Sequence, residues 1–325
     1  MPALHHRLLG RDTGLSVSEV GFGAWGIGGG WGERDDDAAL DALRTAIDEG
    51  IDFIDTAMGY GDGHSEELIG QVIAGREERV VVATKASPKN RQWPAAADVP
   101  VSETFPPGYL TECTDASLAR LGVPILDVQQ MHVWAARWLT EGDWRDEIAQ
   151  LKADGKIRAF GVSINDHEPD TALDLVASGL VDTVQVIHNI FDQSPTDRLY
   201  AACEEHGVGV IVRVALDEGA LTGTMAADTT FPDGDWRQKY FAGDRPAQVA
   251  ERVDRIVADL GIDKTDMAET ALRYVLSFPA VSSVIVGMRR PENVRRNVAL
   301  ADGQGLPADQ LDKLKAHRWE RNFYR

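Results

Sequence analysis

Eight short β-rich runs, each followed by a stretch of helical periodicity, organise this chain of 325 residues from end to end. The strands are expected at Val20–Gly23, Phe53–Asp55, Val80–Thr84, Leu126–Met131, Ile157–Ser163, Thr183–Ile187, Gly209–Val214 and Val284–Val286. Helices are expected at Asp36–Glu49, Ser65–Ala74, Tyr109–Arg120 and Asp143–Ala153, with stops such as Glu49-Gly50 and Leu121-Gly122 before the next strand. Strict alternation implies an α/β fold with a parallel sheet, and the count of eight implies a closed (β/α)8 TIM barrel. An open doubly wound sheet alternates in the same way, and Gly21-Phe22-Gly23-Ala24-Trp25-Gly26 spells GxGxxG after a strand. That fingerprint needs its last glycine to open a helix directly, whereas more glycines and Trp31 follow here and helical periodicity begins only near Asp36. The match is therefore set aside. Residues 1–325 read as one domain, because no linker or shift in composition interrupts the pattern. Upstream of the first barrel strand, Arg7–Leu9 and Leu15–Val17 read as a β-hairpin able to plug the barrel bottom. The connections Ala86–Pro107 and Ala215–Arg245 are long, and after barrel strands such loops form walls of the catalytic face.

Partners are narrowed by charge. With 33 Lys+Arg against 52 Asp+Glu the formal charge is −19, which repels phosphate backbones and anionic membranes and argues for no nucleic-acid partner. No apolar run approaches the ~20 residues that a membrane helix needs, so no membrane partner is expected. Cys113 and Cys203 lack CxxC partners, and the start MPALHHRLLG lacks the apolar core of a secretion signal, so a cytoplasmic location is expected. Nothing in the sequence specifies an oligomeric state.

Three polar residues fall at C-terminal strand ends: Asp55, Lys85 and His132, and Tyr60 lies five positions beyond Asp55. Each alone has a plain structural role, as a helix cap, a loop lysine or a packing residue. Converging on one barrel mouth, they place a Lys–Asp pair beside a phenol and an imidazole. A lysine ammonium next to a tyrosine stabilises the phenolate and is expected to lower its pKa from ~10 toward neutrality, as a phenolic general acid requires. This is apparatus for protonating a carbonyl as hydride arrives.

The blocks around these residues resemble those of the aldo-keto reductase family. Gly50-Ile51-Asp52-Phe53-Ile54-Asp55-Thr56-Ala57, then Tyr60-Gly61 and Ser65-Glu66-Glu67-Leu68-Ile69-Gly70, are similar to the family's aspartate and tyrosine signature. Ala83-Thr84-Lys85 resembles its lysine block, and Leu126-Asp127-Val128-Gln129-Gln130-Met131-His132 the run ending in its histidine. Gly155-Lys156-Ile157-Arg158-Ala159-Phe160-Gly161-Val162-Ser163 and Gly219-Ala220-Leu221-Thr222-Gly223 resemble two further blocks. The resemblance implies a barrel that binds a nicotinamide cofactor and reversibly reduces an aldehyde or ketone, its small-molecule carbonyl partner, to the alcohol. It makes Tyr60 the general acid, Lys85 its neighbour, Asp55 the partner of the lysine, and His132 the group that orients the carbonyl. NAD-preferring sugar or alcohol dehydrogenases and cofactor-binding regulatory or channel-associated proteins also fall within the resemblance.

Four arginines against one glutamate in Met288-Arg289-Arg290-Pro291-Glu292-Asn293-Val294-Arg295-Arg296-Asn297 make a basic island in an acidic chain, and Pro291 suits the first turn of a helix. A helix N-terminus with bidentate arginines is a ready phosphate site. By resemblance, Arg289, Arg290 and Arg296 meet an adenosine 2′-phosphate and Asn293 and Asn297 the adenine, which implies NADP(H). Ser163, Asn165 and Gln185 match positions at the nicotinamide, and Trp25, Arg213, Leu216, Gly219, Leu221 and Gly287 complete the implied cofactor set. The chain departs from the family pattern at Ile164, which separates Ser163 from Asn165, at Arg213 in place of a stacking aromatic, and at His188 in place of a tyrosine. Asp235-Trp236-Arg237 either reaches the cofactor phosphates or is surface structure. Trp25, Trp31, Trp93, Trp134 and Trp138 either wall a pocket for a flat or sugar-like carbonyl compound or pack loops onto the barrel. His64 with Asp55 and His132 lacks a known ligand spacing, and no metal is expected.

Overall fold

The computed structural model describes residues 4–29 and 34–319; Trp31 lies outside them. A hairpin of β1 (His6–Leu8) and β2 (Ser16–Ser18) precedes β3 (Val20–Gly23), β4 (Phe53–Asp55), β5 (Val81–Ala86), β6 (Leu126–Met131), β7 (Ile157–Ser163), β8 (Thr183–Ile187), β9 (Gly209–Arg213) and β10 (Val281–Gly287). Strands β3 to β10 are parallel and close into a barrel as β10 pairs with both β3 and β9. Five of the eight expected strands coincide with the observed ones. The last starts three residues earlier than expected because Ser282 and Ser283 disguise it. Within the strand both hydroxyls are satisfied, Ser282 accepting from the Val210 amide at 3.2 Å and Ser283 donating to the Ser18 carbonyl at 2.9 Å.

Helices form where apolar residues recur at helical spacing. Asp36–Asp48 buries Ala39, Ala42, Leu43, Ala46 and Ile47, one stripe facing the barrel, and Asp35 caps its start by accepting from the Ala38 amide at 3.0 Å. The GxGxxG match has a barrel explanation. A Cβ on Gly21 would lie 2.7 Å from the Phe53 ring, so the glycine makes room inside the barrel.

Two-residue periodicity along each strand then sorts the barrel interior by height. Phe53, Val81, Ala83, Val128, Ala159 and Ile211 form one apolar cluster with Leu9, Leu15 and Val17 of the hairpin, which therefore plugs the N-terminal end of the barrel. Further along the same inward faces come Asp55, Lys85, Gln130 and Gln185, all buried. These four polar residues lie toward the C-terminal mouth, where both long connections lie.

Because Leu9 is fully buried in the plug, Leu9→Ala should lower stability by about 2–5 kcal/mol. Urea denaturation should show a lower midpoint at unchanged slope. An unchanged midpoint would contradict the plug.

Candidate active site

Asp55 ends β4, and the chain continues beside β5, the Thr56 amide donating to the Ala83 carbonyl at 2.8 Å and the Met58 amide to the Lys85 carbonyl at 3.2 Å. It then turns through Gly61, Asp62 and Gly63, all at positive φ. A Cβ at Gly61 would sit 2.3 Å from the Gly28 carbonyl oxygen, so only glycine permits this close approach. The turn delivers Tyr60 to Lys85. On the other side, the His132 amide donates to the Ala86 carbonyl at 3.0 Å, which carries β6 pairing one residue further and sets the imidazole over the same mouth.

The four expected residues come together. Lys85 Nζ donates to Asp55 Oδ2 at 2.6 Å, to the Thr56 carbonyl at 2.8 Å and to the Tyr60 hydroxyl at 3.3 Å. Gln185 Nε2 donates to the other oxygen of Asp55 at 2.7 Å, and Gln130 Nε2 approaches it at 3.4 Å. The Tyr60 and His132 rings meet edge to face with centroids 5.6 Å apart. Lys85 is fully buried behind Tyr60, while Tyr60, Asp55 and His132 line a cavity of about 1520 Å³.

Electrostatics corrects one expectation. Burial raises the pKa of Tyr60 above the ordinary tyrosine value, outweighing the Lys85 charge that lowers it, and the Asp55 charge adds to the rise. The phenol is thus held protonated, not poised near neutrality. Burial opposes the charge on Lys85, yet Asp55 and then Tyr60 carry its pKa above the usual lysine value. Burial, with the charges of Lys85 and Arg213, drives His132 well below the ordinary histidine range, so this imidazole is neutral.

Most of the residues expected to hold a cofactor line the same cavity: Trp25, Ser163, Asn165, Gln185, Arg213, Leu216 and Gly219, then Gly287, Arg289, Arg290, Asn293, Arg296 and Asn297. Leu221 does not. It is fully buried in the apolar core and supports the groove from behind, because Gly219 and Ala220 turn through a tight 3-10 segment that points it inward. The Asn165 amide bonds to Ala95, and that of Gln185 to Asp55. Arg213 Nη2 donates to the Ile164 carbonyl at 2.9 Å and to Asp166 Oδ1 at 2.5 Å. Asp235 binds Arg237 at 2.6 Å, and Trp236 meets Trp25 edge to face at 5.9 Å across the groove.

Other candidates separate. Trp134 and Trp138 are fully buried, as packing and not as pocket wall, whereas Trp93 is 43% exposed and lines the cavity. His188 lies outside the cavity lining, accepting or donating at 2.7 Å with the Tyr200 hydroxyl among Tyr274 and Phe278, and burial pushes its pKa down to about 3. His64 pairs with Asp36 at 2.8 Å. Asp166 and Glu218 also line the groove and were missed. Their positions just past the ends of β7 and β9 were the available signal. Burial first, then the charges of Asp217 and Asp166, raises the Glu218 carboxyl to about 8.

Comparison with known proteins agrees with the closed parallel barrel. The chain is 30% identical over 303 residues to an Escherichia coli protein named NADH-specific methylglyoxal reductase, covering 88% of this chain and 90% of that one. It is 25% identical to a Pseudomonas D-threo-aldose 1-dehydrogenase, over 89% and 91% of the two chains. The structure of a Gluconobacter oxydans glycerol dehydrogenase superposes with a TM-score of 0.75 at 29% identity, covering 98% of this chain and 95% of that one. The model of the Aldo/keto reductase family matches residues 19–318, and the chain belongs to that family of oxidoreductases.

Proposed function

We propose that residues 1–325 work as one domain that reversibly reduces an aldehyde or ketone, sugar-like carbonyls included, to the alcohol with NADP(H). The observation that carries this reading is the Tyr60 hydroxyl 3.3 Å from a buried, charge-paired Lys85, beside a neutral His132 on one cavity wall. Fit to a dinucleotide rests on size and charge. At about 1520 Å³ the cavity exceeds the ~300–1,000 Å³ of ordinary ligand pockets. It runs from Tyr60 to the arginines at the start of the helix Pro291–Val298, and a Cβ on Gly219 or Gly287 would meet open space, leaving backbone accessible there.

When bound, the nicotinamide supplies the hydride. Ser163 and Gln185 line the carbonyl end of the groove, and Arg289, Arg290 and Arg296, with Asn293 and Asn297, would hold the adenosine phosphate. The Escherichia coli relative is named as NADH-specific, so this arginine cluster, and not kinship, supports NADP(H). Lys85 donates to the phenol oxygen and stabilises the negative charge that grows there as Tyr60 releases its proton to the carbonyl. Asp55 holds Lys85 charged and in place, itself fixed by Gln185. His132, being neutral, can orient the carbonyl oxygen without repelling Lys85. No helix among the described residues is long and apolar enough to cross a membrane, and the buried thiols Cys113 and Cys203 suit the reducing cytoplasm in which we place the protein.

Tyr60→Phe should lower kcat by at least about a hundredfold while NADPH still binds, because only the proton donor is removed. Single-turnover absorbance at the nicotinamide band, paired with fluorescence titration, reads both; wild-type turnover in the variant would end this mechanism. Since burial raises the Tyr60 phenol above the ordinary tyrosine range, the protonated donor persists throughout the neutral range. Reduction at saturating NADPH should therefore stay flat from about pH 6 to 9 and fall only at higher pH, and a break near pH 7 would contradict a buried phenol. Arg290→Ala should weaken NADPH by about tenfold and NADH by much less, since a charge-assisted phosphate contact contributes about 1.5–3 kcal/mol and only NADPH carries the 2′-phosphate. Equal weakening of the two would show that the arginines serve another purpose.

A further inference from the structure

Trp93 is one of two large apolar side chains left exposed among the described residues, and the other, Leu8, sits at the opposite, plugged end of the barrel. Trp93 lines the cavity at the mouth, where an exposed indole is an apolar wall open to a ligand. Its ring meets His132 edge to face at 5.7 Å, so Trp93 and Tyr60 flank the same imidazole. Further along the loop that carries it, Arg137 and Trp138 donate to the Asp98 and Val99 carbonyls, but next to Trp93 the anchor is Asn165. Asn165, 94% buried just past the end of β7, accepts from the Ala95 amide through Oδ1 at 3.3 Å and donates through Nδ2 to the Ala95 carbonyl at 3.0 Å. The same oxygen lies 3.5 Å from the Trp134 amide. A side-chain amide thus pairs with Ala95 as a neighbouring strand would, tying together the segments that follow β5, β6 and β7. Ile164, the departure from the family pattern, moves this asparagine one position along from Ser163.

We propose that Asn165 is a positioning residue that straps the Trp93 loop over the catalytic mouth, and that Trp93 is the wall that selects an uncharged carbonyl compound with a flat, apolar body. The substrate half rests on the carbonyl-reductase reading. Charge argues for the class. Lys85 is matched by Asp55 at 2.6 Å and Arg213 by Asp166 at 2.5 Å, so both cations nearest the site are already paired and neither invites a substrate carboxylate. Pro94 and Val133 continue the apolar wall beside Trp93. A flat ring stacked against an indole gains dispersion and quadrupole contacts that a three-carbon aldehyde is too small to make.

The test uses the full chain with Trp93→Ala, Trp93→Phe, Asn165→Leu and Asn165→Asp, the last keeping shape and acceptor but losing the donor to Ala95. Turnover is measured with 4-nitrobenzaldehyde and methylglyoxal, NADPH affinity by fluorescence, and strap integrity by the rate of tryptic cleavage after the exposed Arg91. Trp93→Ala should lower kcat/KM for 4-nitrobenzaldehyde about tenfold more than for methylglyoxal, mainly through KM, with Trp93→Phe recovering most of the loss. Asn165→Leu should reproduce that selective loss, speed cleavage after Arg91 and leave the NADPH Kd unchanged, with Asn165→Asp intermediate. An unchanged cleavage rate together with a weakened NADPH Kd would overturn the strap and return Asn165 to the cofactor. Equal loss on both aldehydes would overturn the selecting wall. If the wild type reduces neither aldehyde with either cofactor, the carbonyl reading and the role of Trp93 fall together, while the tryptic arm still decides the strap.

Discussion

Burying the Lys85–Asp55 pair beneath the barrel mouth is the constraint to which the neighbouring residues answer. Two charges taken out of water incur a desolvation penalty of several kcal/mol each, and deleting one partner of such a pair costs about 3–5 kcal/mol because the other is stranded. Here all three ammonium protons and both carboxylate oxygens find protein partners: Lys85 reaches Asp55, the Thr56 carbonyl and Tyr60, and Asp55 also receives Gln185 and the longer contact from Gln130. Those partners come from four strands or strand ends, so the pair can exist only if β4, β5, β6 and β8 hold their register. Barrel closure and site assembly are one requirement.

The same network explains the neutrality of His132. Burial disfavours the imidazolium first, and a third cation beside Lys85 and Arg213 would be repelled by both, so the imidazole gives up its proton. Around it, the groove inverts the sign of the protein as a whole. A chain of net charge −19 presents Arg289, Arg290 and Arg296 at one end of its main cavity, where an anionic ligand finds attraction that the rest of the surface denies it.

Much of this was legible in the sequence because strand periodicity and helix stops are local properties. The eight strands, the hairpin and the four residues at the mouth follow from alternation and from position after a strand. What was not legible depended on the balance of opposing terms or on partners remote in the chain. The phenol of Tyr60 was expected near neutrality from its lysine alone, whereas burial outweighs that charge. Position after a strand left Trp134 and Trp138 open between pocket wall and packing, and only the fold places both in the core. The Asn165 amide could not be matched with Ala95, 70 positions away, by any spacing rule.

The hairpin plug has a consequence for traffic. With Leu9, Leu15 and Val17 packed against Phe53, Val81, Ala83, Val128, Ala159 and Ile211, a buried apolar layer of the described residues separates the buried lysine from the barrel bottom. On the proposed chemistry, a proton lost by Tyr60 must therefore return from above, through the opening by which substrate arrives and leaves. Restoring the acid and emptying the mouth then become successive uses of a single doorway.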